Sequence, residues 1–160
     1  MEAFLAEKNG YKQIALPKDI NASALVGERI SLEKGHRCGM VISCDAGAED
    51  LTISLEQHDA ASAGNSKALL IKNNYYIKKD AETKFTKVEV LEDTPLANIV
   101  ASVSGVKAVI IIETLDSQLD INGGYNHVSL NIAAGSAAKV VSGIYELHPM
   151  RFGAAYLNDL

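Results

Sequence analysis

The stretch from Val106 to Leu147 constrains the fold more than any other part of the chain. Ala108, Val109, Ile110, Ile111 and Ile112 form a largely β-branched run that is apolar on both parities, which suits a strand covered on both faces. Asp120-Ile121-Asn122-Gly123-Gly124 is a turn signal, and beyond it Val128, Leu130 and Ile132 alternate with His127, Ser129 and Asn131. After a second break at Ala133 to Ser136, Val141, Tyr145 and Leu147 share one parity of the segment Lys139 to Leu147. Three strands divided by two turns spell part of a β-sandwich, and none of them carries a catalytic constellation.

The upstream half repeats this grammar. Gln13 to Leu16 reads as a short strand stopped by Pro17, and Ile30 and Leu32 alternate within Glu28 to Glu33. Cys38, Met40, Ile42 and Cys44 give the next segment an apolar face, and Leu51, Ile53 and Leu55 alternate with Thr52, Ser54 and Glu56. Ala68 to Lys78 and Lys84 to Glu92 read as a hairpin around Lys79 to Thr83, with Leu69, Ile71, Tyr75 and Ile77 turned to the core and Lys72, Tyr76 and Lys78 turned out. One helix is expected near 95–104. Thr94 suits an N-cap, Pro95 a first turn, and Leu96, Ile99, Val100 and Val103 fall at i, i+3, i+4 and i+7 before Gly105.

Eight or nine short strands with one short helix predict an all-β chain: an antiparallel β-sandwich, jelly-roll-like, in a single domain over 1–160. The ends, 1–12 and 148–160, are candidate docking arms. A chain of 160 residues that is 48% hydrophobic can bury roughly 70% of its unfolded surface, so neither disulfides nor metal are needed as staples. Cys38 and Cys44, six residues apart on one strand, would sit ~20 Å apart and stay reduced.

Residues that carry chemistry are scattered. There is no Gly-x-Ser-x-Gly elbow, no phosphate-cradling glycine loop and no His-Glu-x-x-His. His36, His58, His127 and His148 lack the His-x-His pairing of cupin metal sites and read as surface or loop residues. Asp116, Asp120 and Asn122 resemble part of a calcium loop, but Gln118 and Ser129 occupy its first and last ligand positions, so a hydrogen-bonded turn is the better reading. Glu49-Asp50 and Glu92-Asp93 read as turn carboxylates, because adjacent strand residues point to opposite faces. The expectation is a non-enzyme without metal or cofactor.

The formal charge of −5 disfavours a general nucleic-acid binder. Met1 to Lys8 is acidic where a secretory leader is basic, and no apolar run approaches the ~20 residues of a membrane span, so synthesis in the cytoplasm and no membrane insertion are expected. Charge is unevenly spread. Lys67 to Lys87 holds six lysines against two acids, a net of +4 that leaves −9 on the remainder. This patch reads first as a solvated hairpin whose lysines protect its edge; with Tyr76 and Phe85 on the outer side of the predicted hairpin, the functional alternatives are a protein surface and, behind it, single-stranded nucleic acid. Val140 and Ile144 lie opposite Val141 and Tyr145 in parity, so both faces of the last strand ask for cover, either as a buried central strand or as a subunit interface. Lys72, Tyr76, Lys78, Phe85, Lys87, Val140, Ile144, Phe152 and Tyr156 are therefore the candidate partner contacts.

Gly123-Gly124-Tyr125-Asn126-His127-Val128-Ser129-Leu130-Asn131-Ile132-Ala133-Ala134-Gly135, with Gly143 to Leu147 and Pro149 to Phe152, resembles the C-terminal part of small virion proteins of tailed bacteriophages. Leu51 to Gln57 and the Ala/Gly/Ser loop after it are similar in flavour, and together the likeness spans about two-thirds of the chain. The resemblance is one of pattern and carries over no functional residue. It implies a head decoration, cement or minor capsid protein in the virion, homo-oligomeric, with a trimer as the candidate form, and with the major capsid protein or another virion protein as partner. A tail or connector component is the neighbouring alternative. A carbohydrate-binding sandwich using Tyr75, Tyr76 and Tyr125 is the alternative from another class.

Overall fold

Strands with one apolar parity must pair into sheets and then stack those sheets, and the computed structural model, which describes residues 10–33 and 36–149, does this with two antiparallel sheets. The strands are β1 (Gly10–Asp19), β2 (Leu25–Val26), β3 (Ile30–Ser31), β4 (His36–Cys44), β5 (Leu51–His58), β6 (Ser66–Leu69), β7 (Tyr75–Lys79), β8 (Thr86–Val88), β9 (Ile99–Ala101), β10 (Ala108–Leu115), β11 (His127–Ile132) and β12 (Val140–Pro149). The larger sheet runs β1-β12-β4-β10-β7-β8. The smaller runs β2-β11-β5-β6, with β3 sharing the β11 edge with β2 and β9 sharing the β5 edge with β6.

Counting β2 with β3 as one interrupted strand, and β6 with β9 as another, leaves eight strands once the β7–β8 hairpin is set aside. Their order is then first-eighth-third-sixth in one sheet and second-seventh-fourth-fifth in the other, which is the jelly roll. The β7–β8 hairpin is an addition inserted between the two pieces of the fifth strand, and it widens the larger sheet.

The core lies between the sheets. Ile14, Met40, Ile42, Ile110, Ile112, Val141 and Tyr145 of the larger sheet meet Leu25, Ile53, Leu55, Ile99, Val128, Leu130 and Ile132 of the smaller, all essentially without solvent contact. Burying a side chain of this size contributes ~1.5–3 kcal/mol, which is why the alternation sets the register of β4, β5, β10 and β11 so firmly.

Three sequence-based expectations are corrected. No α-helix occurs among the described residues, and the segment expected to be one holds β9. Ile99, Ala101 and Val103 are buried while Val100 is 61% exposed, a period of two rather than 3.6. Ile99 and Val103, four residues apart, share a face in either template, but a ten-residue helix is marginal alone, and pairing with β5 satisfies the backbone of β-branched residues better. Second, Ala68 to Lys78 is two strands in two sheets. Asn73 and Asn74 make the break, with Asn73 donating to the Glu113 carbonyl at 3.0 Å and Asn74 accepting from the Val90 N–H at 2.8 Å. Third, Pro17 does not stop β1, because β1 is an edge strand with register shifts on either side of Ala15, where a missing N–H costs no ladder bond.

Candidate functional site

The outer face of the larger sheet carries the most unusual surface. Side chains opposite in parity to the core form a cross-strand row over all six strands: Gln13, Ile144, Val41, Ile111, Tyr76 and Lys87. On one side lies the row Ser142, Ser43, Val109, Lys78, and on the other Tyr11, Glu146, Gly39, Glu113. The centre of the face is thus aliphatic, at Ile144, Val41, Ile111 and Val109. Ile144 is 42% and Val140 40% exposed, and the other three are half-buried by their neighbours. Sheets that face water on one side normally alternate cleanly to polar residues there; this one does not.

Charge is unevenly spread around that centre. Lys78 and Lys87 occupy the β7–β8 corner, where the Lys78 Nζ stands 6.0 Å from the centroid of the exposed Phe85 ring and Lys87 pairs with Glu89 at 3.2 Å. Glu113 and Glu146 occupy the opposite side, with Glu146 accepting from the Tyr11 hydroxyl at 3.0 Å and lying 3.4 Å from the His148 Nε2; Arg37, the cross-strand partner of His148, has the same parity beyond them.

Tyr76, Lys78, Lys87, Val140 and Ile144, which the sequence assigns to two separate surfaces, therefore share one face, and Phe85 stands at its edge. Lys72 does not join them: it is exposed on the crossover between β6 and β7. Phe152 and Tyr156 lie outside the described residues, as do most of the two expected arms. Val41, Val109 and Ile111 were not among the sequence candidates, since an apolar run on both parities reads as doubly covered. Here one side of that run is open.

The smaller sheet's outer face is polar and strapped down. His58 and His127 are cross-strand partners, and the His58 Nε2 lies 2.8 Å from the Ser129 hydroxyl. Arg29, between β2 and β3, reaches over them to donate to the carbonyls of Ala60, at 3.0 Å, and Ala63. This corrects the surface reading of His58, which is buried in mid-sheet. The pair looks like a nucleophile and base, but Ser129 is 1% exposed and no carboxylate reaches the His58 Nδ1, which has no partner. Burial and the Arg29 charge lower the pKa of His58, and burial lowers that of His127, so both are neutral at pH 7.

Carboxylates elsewhere hold loops. Glu49 accepts from the Ser136 N–H and hydroxyl and the Ala137 N–H, and Asp50 from the N–H groups of Val103 and Ser104. Those hydrogen bonds, led by the Ser136 N–H, lower the Glu49 pKa. Asp120 accepts from the Gly123 N–H at 3.0 Å and pairs with Lys67, which makes its segment the hydrogen-bonded turn expected of it. No group of three His, Cys, Asp or Glu among the described residues is arranged to hold a metal ion. The three tyrosines weighed as a sugar platform do not combine: Tyr75 is a core residue, and the Lys67 Nζ covers the Tyr125 ring at 4.2 Å.

Comparison with protein-family models, curated proteins and solved structures finds no match to this chain.

Proposed function

We propose that this chain is a non-enzymatic assembly protein, a decoration or cement subunit of a bacteriophage head that forms a closed homo-oligomer and bridges neighbouring shell subunits. The observation that carries the reading is the aliphatic centre of the larger sheet's outer face, rimmed by lysines at one corner and glutamates at the other. Such a face loses water favourably on docking, while its charged rim selects the partner and its orientation. The loops at the strand ends, tied by Glu49, Asp50 and Lys139, supply a rigid frame for that face. The resemblance to small phage virion proteins directs the reading to a shell rather than to some other assembly.

The test is co-sedimentation of the purified chain with shells assembled from the capsid protein of the same source, followed by shell disassembly on heating. Binding together with a higher disassembly temperature is the expected result. Failure to bind shells, with retention on a glycan array, would replace this reading with that of a carbohydrate-binding sandwich.

A further inference from the structure

We infer that the outer face of the larger sheet is the seat of a second copy of this chain, packed face to face about a two-fold axis that runs along the Ile144–Val41–Ile111–Tyr76 row. The inference rests on the assembly reading above and names the partner of that same face.

Area is the first argument. A patch four to six strands wide at ~4.8 Å per strand, and about eight residues long at ~3.3 Å per residue, buries on the order of 1,000–1,500 Å² over two copies, which is the range of a specific interface.

Charge complementarity is the second, and it selects the axis. A two-fold axis along the apolar row keeps each strand position and exchanges the rows on either side. Ile144, Val41, Ile111 and Tyr76 then meet their own copies. The Ser142–Ser43–Val109–Lys78 row faces the Glu146–Gly39–Glu113 row of the second copy, which sets Lys78 one strand away from Glu113 and Ser142 opposite Glu146. The small residues Ser43 and Gly39 oppose each other at the centre and let the sheets approach. An axis parallel to the strands also buries the apolar row, but it sets Lys78 opposite Ser142 and Glu113 opposite Gly39, so neither of these two charges meets an opposite one. Lys87 falls on the first axis at the rim, where Glu89 already pairs with it.

A face matched to itself closes with two copies, so a pair, and not a trimer, is the unit this geometry builds.

The experiment is the solution mass of the full chain by light scattering, with dissociation constants for Ile144→Glu, Lys78→Glu, Glu113→Lys and the Lys78→Glu/Glu113→Lys double variant. A dimer is expected, with Ile144→Glu monomeric, each single charge reversal weakening association roughly tenfold, and the double variant recovering it. Lys78 and Glu113 are four residues apart in register within one chain, too far to pair, so recovery reports a contact between copies. The charge variants keep the test decisive if Ile144→Glu fails to fold. A monomer, a trimer, or a double variant no better than the singles overturns the inference. So does a monomer that pairs only after residues 150–160 are removed, since those residues would then be the occupant. A monomer that binds shells through Ile144 overturns the two-fold packing and the closed homo-oligomer, and leaves only the shell-binding part of the assembly reading standing.

Discussion

The Tyr145 hydroxyl, from the larger sheet, accepts a hydrogen bond of 3.0 Å from the backbone N–H of Leu130 in the smaller one. The bond crosses the core, and it exists because the second jelly-roll strand is broken. β2 pairs with Asn131 and Ile132, and β3 with His127 and Val128, which leaves Leu130 facing the gap. Gly27 in that gap donates to the Leu130 carbonyl at 2.9 Å, and Tyr145 takes the N–H. Tyr145 has no solvent exposure, and burial pushes its phenol pKa well up, so the group is a neutral hydroxyl.

Tyr145→Phe should therefore cost about 1–3 kcal/mol, the penalty of a buried N–H left without a partner, with no change in the urea m-value. A loss below about 0.5 kcal/mol would show that the N–H finds another acceptor. Gly27→Ala should cost at least as much, because an added Cβ would run into the Leu130 carbonyl oxygen and the Tyr145 hydroxyl.

Much of this architecture was legible in the chain. The alternation in Leu51–His58 and His127–Ile132 forces one face inward, and a one-residue slip of either strand would turn its share of Ile53, Leu55, Leu130 and Ile132 to solvent. Ile99 to Val103 deceives because apolar residues at i and i+4 share a face in both periods over so short a span, and only the free edge of β5 decides between them. The docking face was half legible. Val140 and Ile144 stand out by parity, but that they share a row with Tyr76 follows from β12, β4, β10 and β7 lying side by side, and strand order is not written in periodicity. Arg29 over His58 was beyond reach, since nothing local marks an arginine that spans two strands to reach a loop.

Lys139 is fully buried, and its amine donates to the carbonyls of Gly47 at 3.0 Å and Val103 at 2.8 Å. Both carbonyls also accept a backbone N–H, from Gly105 and Val106 respectively. Removing the amine therefore strands neither acceptor, whereas removing the stem opens a cavity. Lys139→Ala should cost about 2–4 kcal/mol and Lys139→Met less than half of that, since Met refills the space without a polar head to desolvate. Equal losses in urea titrations of the two variants would mean that the amine, and not the packing, is what matters.

Cys38 and Cys44 are free and buried on one face of β4. Burial pushes the Cys38 thiol up to about 12 and raises that of Cys44 as well, so little thiolate is present at neutral pH. Ellman's reagent should find neither thiol in the native chain and two in denaturing urea. A thiol that reacts natively and fast would show that the Cys44 end of β4 opens on the timescale of labelling.

Acid should loosen the fold through its histidines. His58 is faced by Arg29 from the β2–β3 segment, His127 from β11, Glu56 on its own strand and Asp59 in the loop beyond; His127 is faced by Arg29, Glu33 and Lys12. Burial dominates for both and holds their folded pKa below the ordinary value, so the unfolded chain takes up protons first. Stability therefore falls as pH drops below ~6.5, by at most ~1.4 kcal/mol per pH unit for each histidine, and levels off once the folded histidines protonate too. The urea midpoint should be lower at pH ~5.5 than at pH ~7.5, and His58→Gln should remove part of that difference. Glu49, Asp59 and Asp120, whose pKa values are also lowered, act in a separate and more acidic window. A flat midpoint between the two pH values, or an unchanged slope in the His58→Gln/His127→Gln double variant, would show that these histidines protonate in the folded chain as readily as in the unfolded one, and that Arg29 and burial do not hold them neutral.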